Sequence, residues 1–529
     1  MSTTLVIIAG IILLGLFLIS FFVPHEDRKS KAFGSAKFGT GLLKKNLHGF
    51  APDGKRRISL QDSFRHVLLI AGSGGGGGSI GGKTTTFIIP SLIYFALEKK
   101  RKFQSSLIIT DIKGELHPLL SGFLASKGYS IFVLDFISIN ESDQYNPFLH
   151  ISSDQEYKDM ALSLYDLSNS DKPSEGIWRQ GASSIIYWII SLLAAIDDVY
   201  LNFANLLHLI HLIENENLMI SLMDKYLPNS PIRKQYISFT QLDVKIRSSQ
   251  LASAITALSP FDTSDVKILT AQNTINFENL RKRKSALFLK IPPGNSSSYS
   301  VLTLFYSQLF TYCLKTPIEK TDYPLMILGD EFGNLSRIGN DNFYSQVLTL
   351  IRSQKVGISM IIQSISQIIT TYGSQQAKTI LSGAATVIAY PGIRGADNIN
   401  FIQGLLGKST YSYFDDSTEK EQIVARSLMT VSEIREMKTG VVIPSSAKPN
   451  KIKLHPIYKN KRLLRKAKIY SKDGKLHPKI LPHIPTNKIS DRLIPFVTEY
   501  LENNYDLQNQ DTERMESFMD RLEKLLPKK

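Results

Sequence analysis

Two short motifs, set roughly 250 residues apart, constrain this chain more than any other feature, because each sits at the end of an apolar run of strand length. The first follows His66-Val67-Leu68-Leu69-Ile70-Ala71, so a glycine-rich loop leaves a strand tip at Gly72. It closes on Gly77-Gly78-Ser79-Ile80-Gly81-Gly82-Lys83-Thr84, which satisfies G-x-x-x-x-G-K-[ST], and the apolar residues Phe87, Ile88, Ile89, Leu92 and Ile93 follow as a helix requires. Such a loop captures anions. Glycines let backbone N–H groups converge on phosphate oxygens, the helix N-terminus adds positive partial charge, Lys83 reaches the outer phosphates and the Thr84 hydroxyl ligates magnesium. The candidate nucleotide contacts are therefore Gly77, Gly82, Lys83, Thr84 and Thr85. Gly74 to Ser79 reads as a flexible linker would, but a linker does not explain a G-K-T between an apolar strand and an apolar helix.

The second motif is Leu325-Met326-Ile327-Leu328-Gly329-Asp330-Glu331-Phe332, an apolar strand that delivers two carboxylates at its end. This is a Walker B pattern. Asp330 is expected to hold magnesium through water, with Thr84, and Glu331 to polarise the attacking water, since phosphoryl transfer needs charge neutralisation and positioning more than covalent chemistry. A solvated Asp-Glu turn has the same letters; the pairing with the first loop is what selects an ATPase using ATP and Mg2+.

With 529 residues and 43% hydrophobic content, the chain has room for two or three cored domains and is not a disordered protein. A formal charge of +15 favours an anionic partner such as nucleic acid or the inner membrane surface. Cys313 is alone, which excludes a disulfide framework and a thiolate metal cluster. Leu5 to Val23 is an uncharged apolar stretch just long enough to span a bilayer, followed by Arg28, Lys29, Lys31, Lys37, Lys44 and Lys45. The positive-inside rule then leaves the bulk of the chain cytoplasmic, anchored by one pass. A cleaved signal peptide lacks support, because no basic residue precedes the stretch.

The pattern predicts an anchor at 1–25, a membrane-proximal connector at 26–60, a first nucleotide-binding part at 61–154, an all-α domain at 155–270, a second nucleotide-binding part at 271–457 and a basic, helical tail at 458–529. Strand-like runs at Ser106–Thr110, Tyr129–Leu134, Ser285–Ile291, Ile358–Ile362, Ala385–Tyr390 and Gly440–Ile443 interleave with helical stretches, the signature of a mainly parallel α/β sheet. Between them, runs such as Ile185 to Ile196 and Leu206 to Ile213 carry helical periodicity, which reads as an inserted all-α domain. In the tail, Met515, Phe518, Met519, Leu522, Leu525 and Leu526 form one helical stripe, for packing on its own domain or for a partner.

The order of these motifs resembles the type IV secretion coupling proteins, TraG/TraD-like conjugative DNA-transfer ATPases. The resemblance spans about residues 30 to 457 and rests on Gly34-Ser35-Ala36-Lys37-Phe38-Gly39, Thr110-Asp111-Ile112-Lys113-Gly114-Glu115-Leu116, Tyr145-Asn146-Pro147-Phe148 and Ile177-Trp178. It continues through Asp330-Glu331-Phe332-Gly333-Asn334-Leu335, Gln363-Ser364-Ile365-Ser366-Gln367, Tyr372-Gly373, Leu406-Gly407-Lys408-Ser409-Thr410 and Arg426-Ser427-Leu428-Met429. It implies a RecA-like P-loop NTPase domain assembled as a homo-hexamer at the membrane. The implied partners are single-stranded DNA, relaxase or relaxosome proteins and the type IV secretion channel proteins. It also implies that Gln363 senses the γ-phosphate and that Arg352, on a helix leading into the next strand, reaches a neighbouring subunit's nucleotide.

Two departures stand out. Lys83 lies eleven positions beyond Gly72, about five residues more than the family's loop, and each extra residue that binding must fix costs on the order of 1 kcal/mol. The family commonly has two membrane helices, whereas this chain shows one. Protein effectors as cargo, or a docking receptor without productive hydrolysis, are the alternative readings. Basic clusters at Lys99–Lys102, Arg281–Lys284 and Lys459–Lys468 are candidate phosphate contacts or solvated faces. His208-x-x-His211-x-x-Glu214 has helical spacing for three ligands but sits in a leucine-rich helix, where core histidines are the ordinary explanation.

Overall fold

The computed structural model describes residues 34–72, 82–168, 176–292, 294, 296–335, 337–339, 342–415, 420–472, 475–483 and 497. The expected membrane span Leu5 to Val23, Gly77 with most of its loop, and the C-terminal apolar stripe lie outside them. In chain order the strands are β1 (Val67–Ile70), β2 (Ser106–Asp111), β3 (Ser130–Asp135), β4 (Ser285–Lys290), β5 (Leu325–Gly329), β6 (Val356–Ile362) and β7 (Thr386–Ala389). They continue as β8 (Lys408–Asp415), β9 (Lys420–Ser427), β10 (Gly440–Pro444), β11 (Asn450–Ile452), β12 (Ile469–Lys472) and β13 (Lys475–Pro478).

Nine strands form one sheet in the order β11-β10-β7-β1-β6-β5-β2-β4-β3. The run from β7 to β3 is parallel, while β10 and β11 close the other edge antiparallel. Every position of β1, β2, β5 and β6 is buried, as expected where helices cover both faces of a parallel sheet. Alternation then sorts the side chains. Leu68, Ile70, Ile108, Ile327 and Met360 join one core, and Val67, Leu69, Leu107, Ile109, Met326 and Ile361 join the other. Each such side chain contributes about 1.5–3 kcal/mol by leaving water, so a one-residue slip of register would forfeit many of them at once.

All described elements between β3 and β4 are helical, in the interval where periodicity predicts an all-α insertion. Their starts are capped by side chains: Asn202 accepts from Asn205 N, Asn215 from Leu218 N and Asp243 from Lys245 N. The insertion shares its core with the sheet, for Ile189 and Leu206 belong to the same buried cluster as Leu287 and Ile327. Among the described residues, one helix, Gly176–Ile196, is long and apolar enough to cross a membrane, yet 61% of its apolar window is buried. It packs between the helices Asp154–Ser168 and Val244–Leu258 as the centre of the helical layer.

From Gly34 onward the expected connector is packed. Ala36 N donates to Lys408 O at 3.1 Å and Thr410 N to Gly34 O at 3.0 Å, which lays this segment along β8. Phe50 and Ala51 are wholly buried, and the Tyr390 hydroxyl donates to Pro52 O at 2.6 Å. Three local expectations are corrected. Lys408–Ser427, read only as motif letters, is an antiparallel hairpin; Arg352 lies in a 3-10 turn, Ile351–Gln354, rather than in a regular helix; and the helix carrying His208 and His211 ends at His211. Glu214 therefore lies beyond the helix end, and the helical-face argument for a three-ligand metal site does not hold.

Candidate nucleotide site

The site forms where sheet order brings distant sequence together. Strand β6 lies between β1 and β5, so the tips of β1 and β5 stand two strand spacings apart, about 10 Å, a gap that one long lysine crosses. At the β1 tip, a Cβ on Gly72 would lie 2.4 Å from Gly392 O, so only glycine permits this backbone approach. After the loop, the helix that ends at Ala96 begins with a wide π-turn over Thr84–Ile88. The Thr85 hydroxyl donates to Gly82 O at 3.3 Å, and Thr84 is half-buried at the head of the helix.

Lys83 Nζ stands 2.7 Å from Asp330 Oδ1 and 3.4 Å from Glu331 Oε1. Asp330 Oδ1 also accepts from Glu331 N at 3.0 Å. Burial pushes the Asp330 carboxyl up, and the Lys83 ammonium opposes that shift. Glu331 adopts a left-handed conformation (φ 51°, ψ 39°), unusual for a side-chain-bearing residue and typical of functional turns. Its second oxygen, Oε2, accepts from Asn334 Nδ2 at 2.9 Å.

Gln363 follows β6 directly, at the strand tip between the two motifs. The buried Asn398 holds this corner: its Nδ2 donates to Gln363 O at 3.1 Å and its Oδ1 accepts from Ile365 N at 2.9 Å. Lys83, Asp330, Glu331 and Gln363 thus come to one edge of the sheet, with Gly82, Thr84 and Thr85 at the neighbouring helix start. Arg352 does not join them. It is exposed before the first residue of β6, and a strand of seven residues puts about 20 Å between it and Gln363.

Asn334 and Gln367 were not among the site residues expected from sequence. A signal for Gln367 was present in Ser364-Ile365-Ser366-Gln367, the S-x-x-Q form of a capping box, and both halves of that box are made. Asn334 stands three residues from its partner Glu331, but its bond to Gln367 forms only when β5 and β6 pair.

Among the described residues, no group of three or more His, Cys, Asp or Glu side chains could hold a metal ion unaided. One carboxylate, Asp330, with one hydroxyl, Thr84, is the donor set that suits magnesium, which keeps several waters and takes phosphate oxygens.

The family model described as type IV secretory system conjugative DNA transfer matches residues 34–479. Protein VirD4 of Rhizobium radiobacter is 22% identical over 338 residues, 61% of this chain and 46% of that protein. The chain therefore spans about half the length of this curated relative. Among solved structures, the unbound bacterial conjugative coupling protein TrwBdeltaN70 superposes with a TM-score of 0.58 at 15% identity, covering 80% of this chain and 95% of that one. Plasmid coupling protein TrwB in complex with ADP and Mg2+ gives 0.58 at 15% identity over 81% and 92%. TrwB with the non-hydrolysable ATP analogue ADPNP gives 0.58 at 15% identity over 81% and 96%. At this identity the superpositions establish a shared RecA-like α/β fold.

Proposed function

This chain belongs to the type IV secretory system conjugative DNA transfer family, and on that premise we propose that it is a membrane-anchored, hexameric ATPase. It would couple a relaxase-bound single strand of DNA to a secretion channel at the inner membrane and drive transfer by ATP hydrolysis. The observation that carries the ATPase reading is the convergence of Lys83 on Asp330 and Glu331 from the tips of two parallel strands, β1 and β5, that flank β6.

Bound ATP and Mg2+ would supply the phosphoanhydride bond and the charge that neutralises its oxygens. Lys83 and Asp330 pair at 2.7 Å, so nucleotide binding would exchange one charge pair for others rather than expose a lone buried ion. Lys83 would then hold the outer phosphates, with Asp330 and Thr84 on the metal. Glu331 would take the proton of the attacking water, and Gln363 would report the presence of the terminal phosphate to the β6 corner. Because Arg352 lies at the opposite edge of its own sheet, its contribution would be made to an adjacent subunit's nucleotide. The DNA reading of the cargo draws on the helix Lys461–Ala467, which buries Leu463, Leu464 and Ala467 and turns Lys461, Arg462, Arg465 and Lys466 to solvent.

The test separates grip from chemistry. Lys83→Ala is expected to abolish ATP binding, whereas Glu331→Gln retains ATP and traps it unhydrolysed, measured by equilibrium binding and single-turnover hydrolysis. Equal ATP affinity in Lys83→Ala and the parent would remove the site assignment.

A further inference from the structure

Glu331 has no free carboxylate oxygen in this structure. Oε1 faces Lys83 and Oε2 accepts from Asn334 Nδ2 at 2.9 Å. Asn334 Oδ1 in turn accepts from Gln367 Nε2 at 2.9 Å, and Gln367 Oε1 accepts from the backbone N–H groups of Gln363 and Ser364 at 3.3 and 3.2 Å. The polarity of this chain is fixed from both ends. A carboxylate can only accept and a backbone N–H can only donate, so each amide has one orientation that satisfies its neighbours. Space enforces the same arrangement, since a Cβ on Gly333 would lie 2.7 Å from Gln367 Oε1. Tyr299 holds Asn334 from a third side through its phenol.

Resting on the ATPase reading, we infer that Asn334 and Gln367 are positioning residues that restrain Glu331 until the β6 corner moves. The restraint is geometric. By holding Oε2, Asn334 fixes the orientation of the carboxylate that must receive the water's proton. Gln367 ties the restraint to the backbone at Gln363 and Ser364, and to the helix Ile365–Gly383 that it caps. A shift of this corner, driven by phosphate at Gln363 or by load on the helix, draws Gln367 away from Asn334 and releases Oε2. Hydrolysis is thereby held low in the idle subunit and coupled to movement of one helix.

The experiment compares the full chain with Asn334→Leu and Gln367→Glu. The second variant is the sharper one: a glutamate at 367 can still accept from Gln363 N and Ser364 N, which keeps the helix cap, but it cannot donate to Asn334. Both variants are expected to raise the basal kcat about tenfold, the factor equivalent to an ordinary hydrogen bond to a charged group, with KM for ATP unchanged within about twofold. Glu331 faces Lys83, Asp330 and Tyr299 besides Asn334, and those groups are retained in each variant. A structural role alone would lower kcat and thermal stability together. An unchanged or lowered kcat in Asn334→Leu overturns the restraint, and parental behaviour of Gln367→Glu beside an activated Asn334→Leu overturns the link to the corner. If the parent hydrolyses ATP no faster than Lys83→Ala, the ATPase reading fails instead.

Discussion

The two edges of the central sheet carry polar groups of the same kinds and treat them in opposite ways. At the amino edge, before β1, β4 and β6 begin, polar side chains bind backbone. His66 donates from Nε2 to Leu348 O at 3.0 Å and accepts at Nδ1 from Ile358 N at 3.3 Å, while the buried Arg281 donates to the Gln354 carbonyl. At the carboxyl edge the side chains of the site also bind one another, as Lys83 binds Asp330, Asn334 binds Glu331 and Gln367 binds Asn334, with Asn398 and Gln367 holding backbone at the β6 corner besides. Backbone partners cannot leave without unfolding an element. Side-chain partners can be exchanged for a ligand at little structural cost, so the same chemistry builds a clamp at one edge and a replaceable set of contacts at the other.

Arg352 is the exception that tests this division, since it lies at the amino edge yet is exposed. The largest expected effect follows from it. If Arg352 serves a neighbouring subunit, Arg352→Ala lowers hydrolysis on the order of a hundredfold or more while ATP binding stays near parental, because the guanidinium acts on charge that develops during transfer. Subunits carrying Arg352→Ala and subunits carrying Lys83→Ala should each be inactive alone. Mixed rings should recover activity wherever an intact Lys83 site meets an intact Arg352. No recovery in rings shown to be mixed would return Arg352 to the amino edge as an ordinary surface residue.

His66 probes the clamp itself. Its two hydrogen bonds require a neutral ring with the proton on Nε2, and burial holds its pKa down to about 4. His66→Ala orphans one buried carbonyl and one buried N–H, a loss of about 3 kcal/mol, with ATP affinity of the folded protein unchanged. The sign of the pH effect follows from the lowered value. The unfolded chain takes up the proton first, so the contribution of His66 is complete above about pH 6.5 and is lost as pH falls toward about 4. Its slope in that window approaches about 1.4 kcal/mol per pH unit. His117 and His150, also held down to about 4 by burial, add in the same direction, and Asp111, pushed up to about 6 by burial, opposes them. Denaturant titrations across this window should show a shallower decline in His66→Ala than in the parent; parallel declines would mean that His66 is not the titrating clamp.

Much of this was legible in sequence, for a physical reason. Strands buried on both faces must be apolar at nearly every position, so β1, β2, β4, β5 and β6 are visible as runs, and a loop that captures phosphate needs glycines and a lysine in fixed order. Residues 408–427 escaped because Lys408, Tyr411, Glu421 and Arg426 give a hairpin no apolar core to announce it. The resemblance puts Arg352 on a helix, whereas the regular helix stops at Leu350 and the tightened turn Ile351–Gln354 that follows leaves no compositional trace. Asn334 shows in sequence only as a letter of the Asp330 to Leu335 motif, because its link to Gln367 forms only once β5 and β6 pair.

The basic clusters divide along the same line, and they give the smallest and most graded expectation. In Arg281–Lys284, Arg281 is buried, Lys282 is paired with Glu319 at 2.7 Å and Asp322 at 3.1 Å, and Lys284 donates to Lys127 O at 3.0 Å while lying over the Tyr129 ring. These charges already have protein partners, so phosphate would have to displace them. Lys461, Arg462, Arg465 and Lys466 are exposed on a helix whose other face is anchored by Leu463, Leu464 and Ala467. Each phosphate contact with a single strand contributes about 0.7 to the slope of log affinity against log salt. Replacing Arg462 and Arg465 with alanine should therefore weaken single-stranded DNA binding several-fold at moderate salt and flatten that slope by about 1.4. Lys282→Ala should leave the slope unaltered and lower stability slightly, as loss of a surface ion pair does. The reverse pattern, a flattened slope in Lys282→Ala and none in the double variant, would place the DNA on the edge of the sheet that these contacts otherwise assign to holding the fold together.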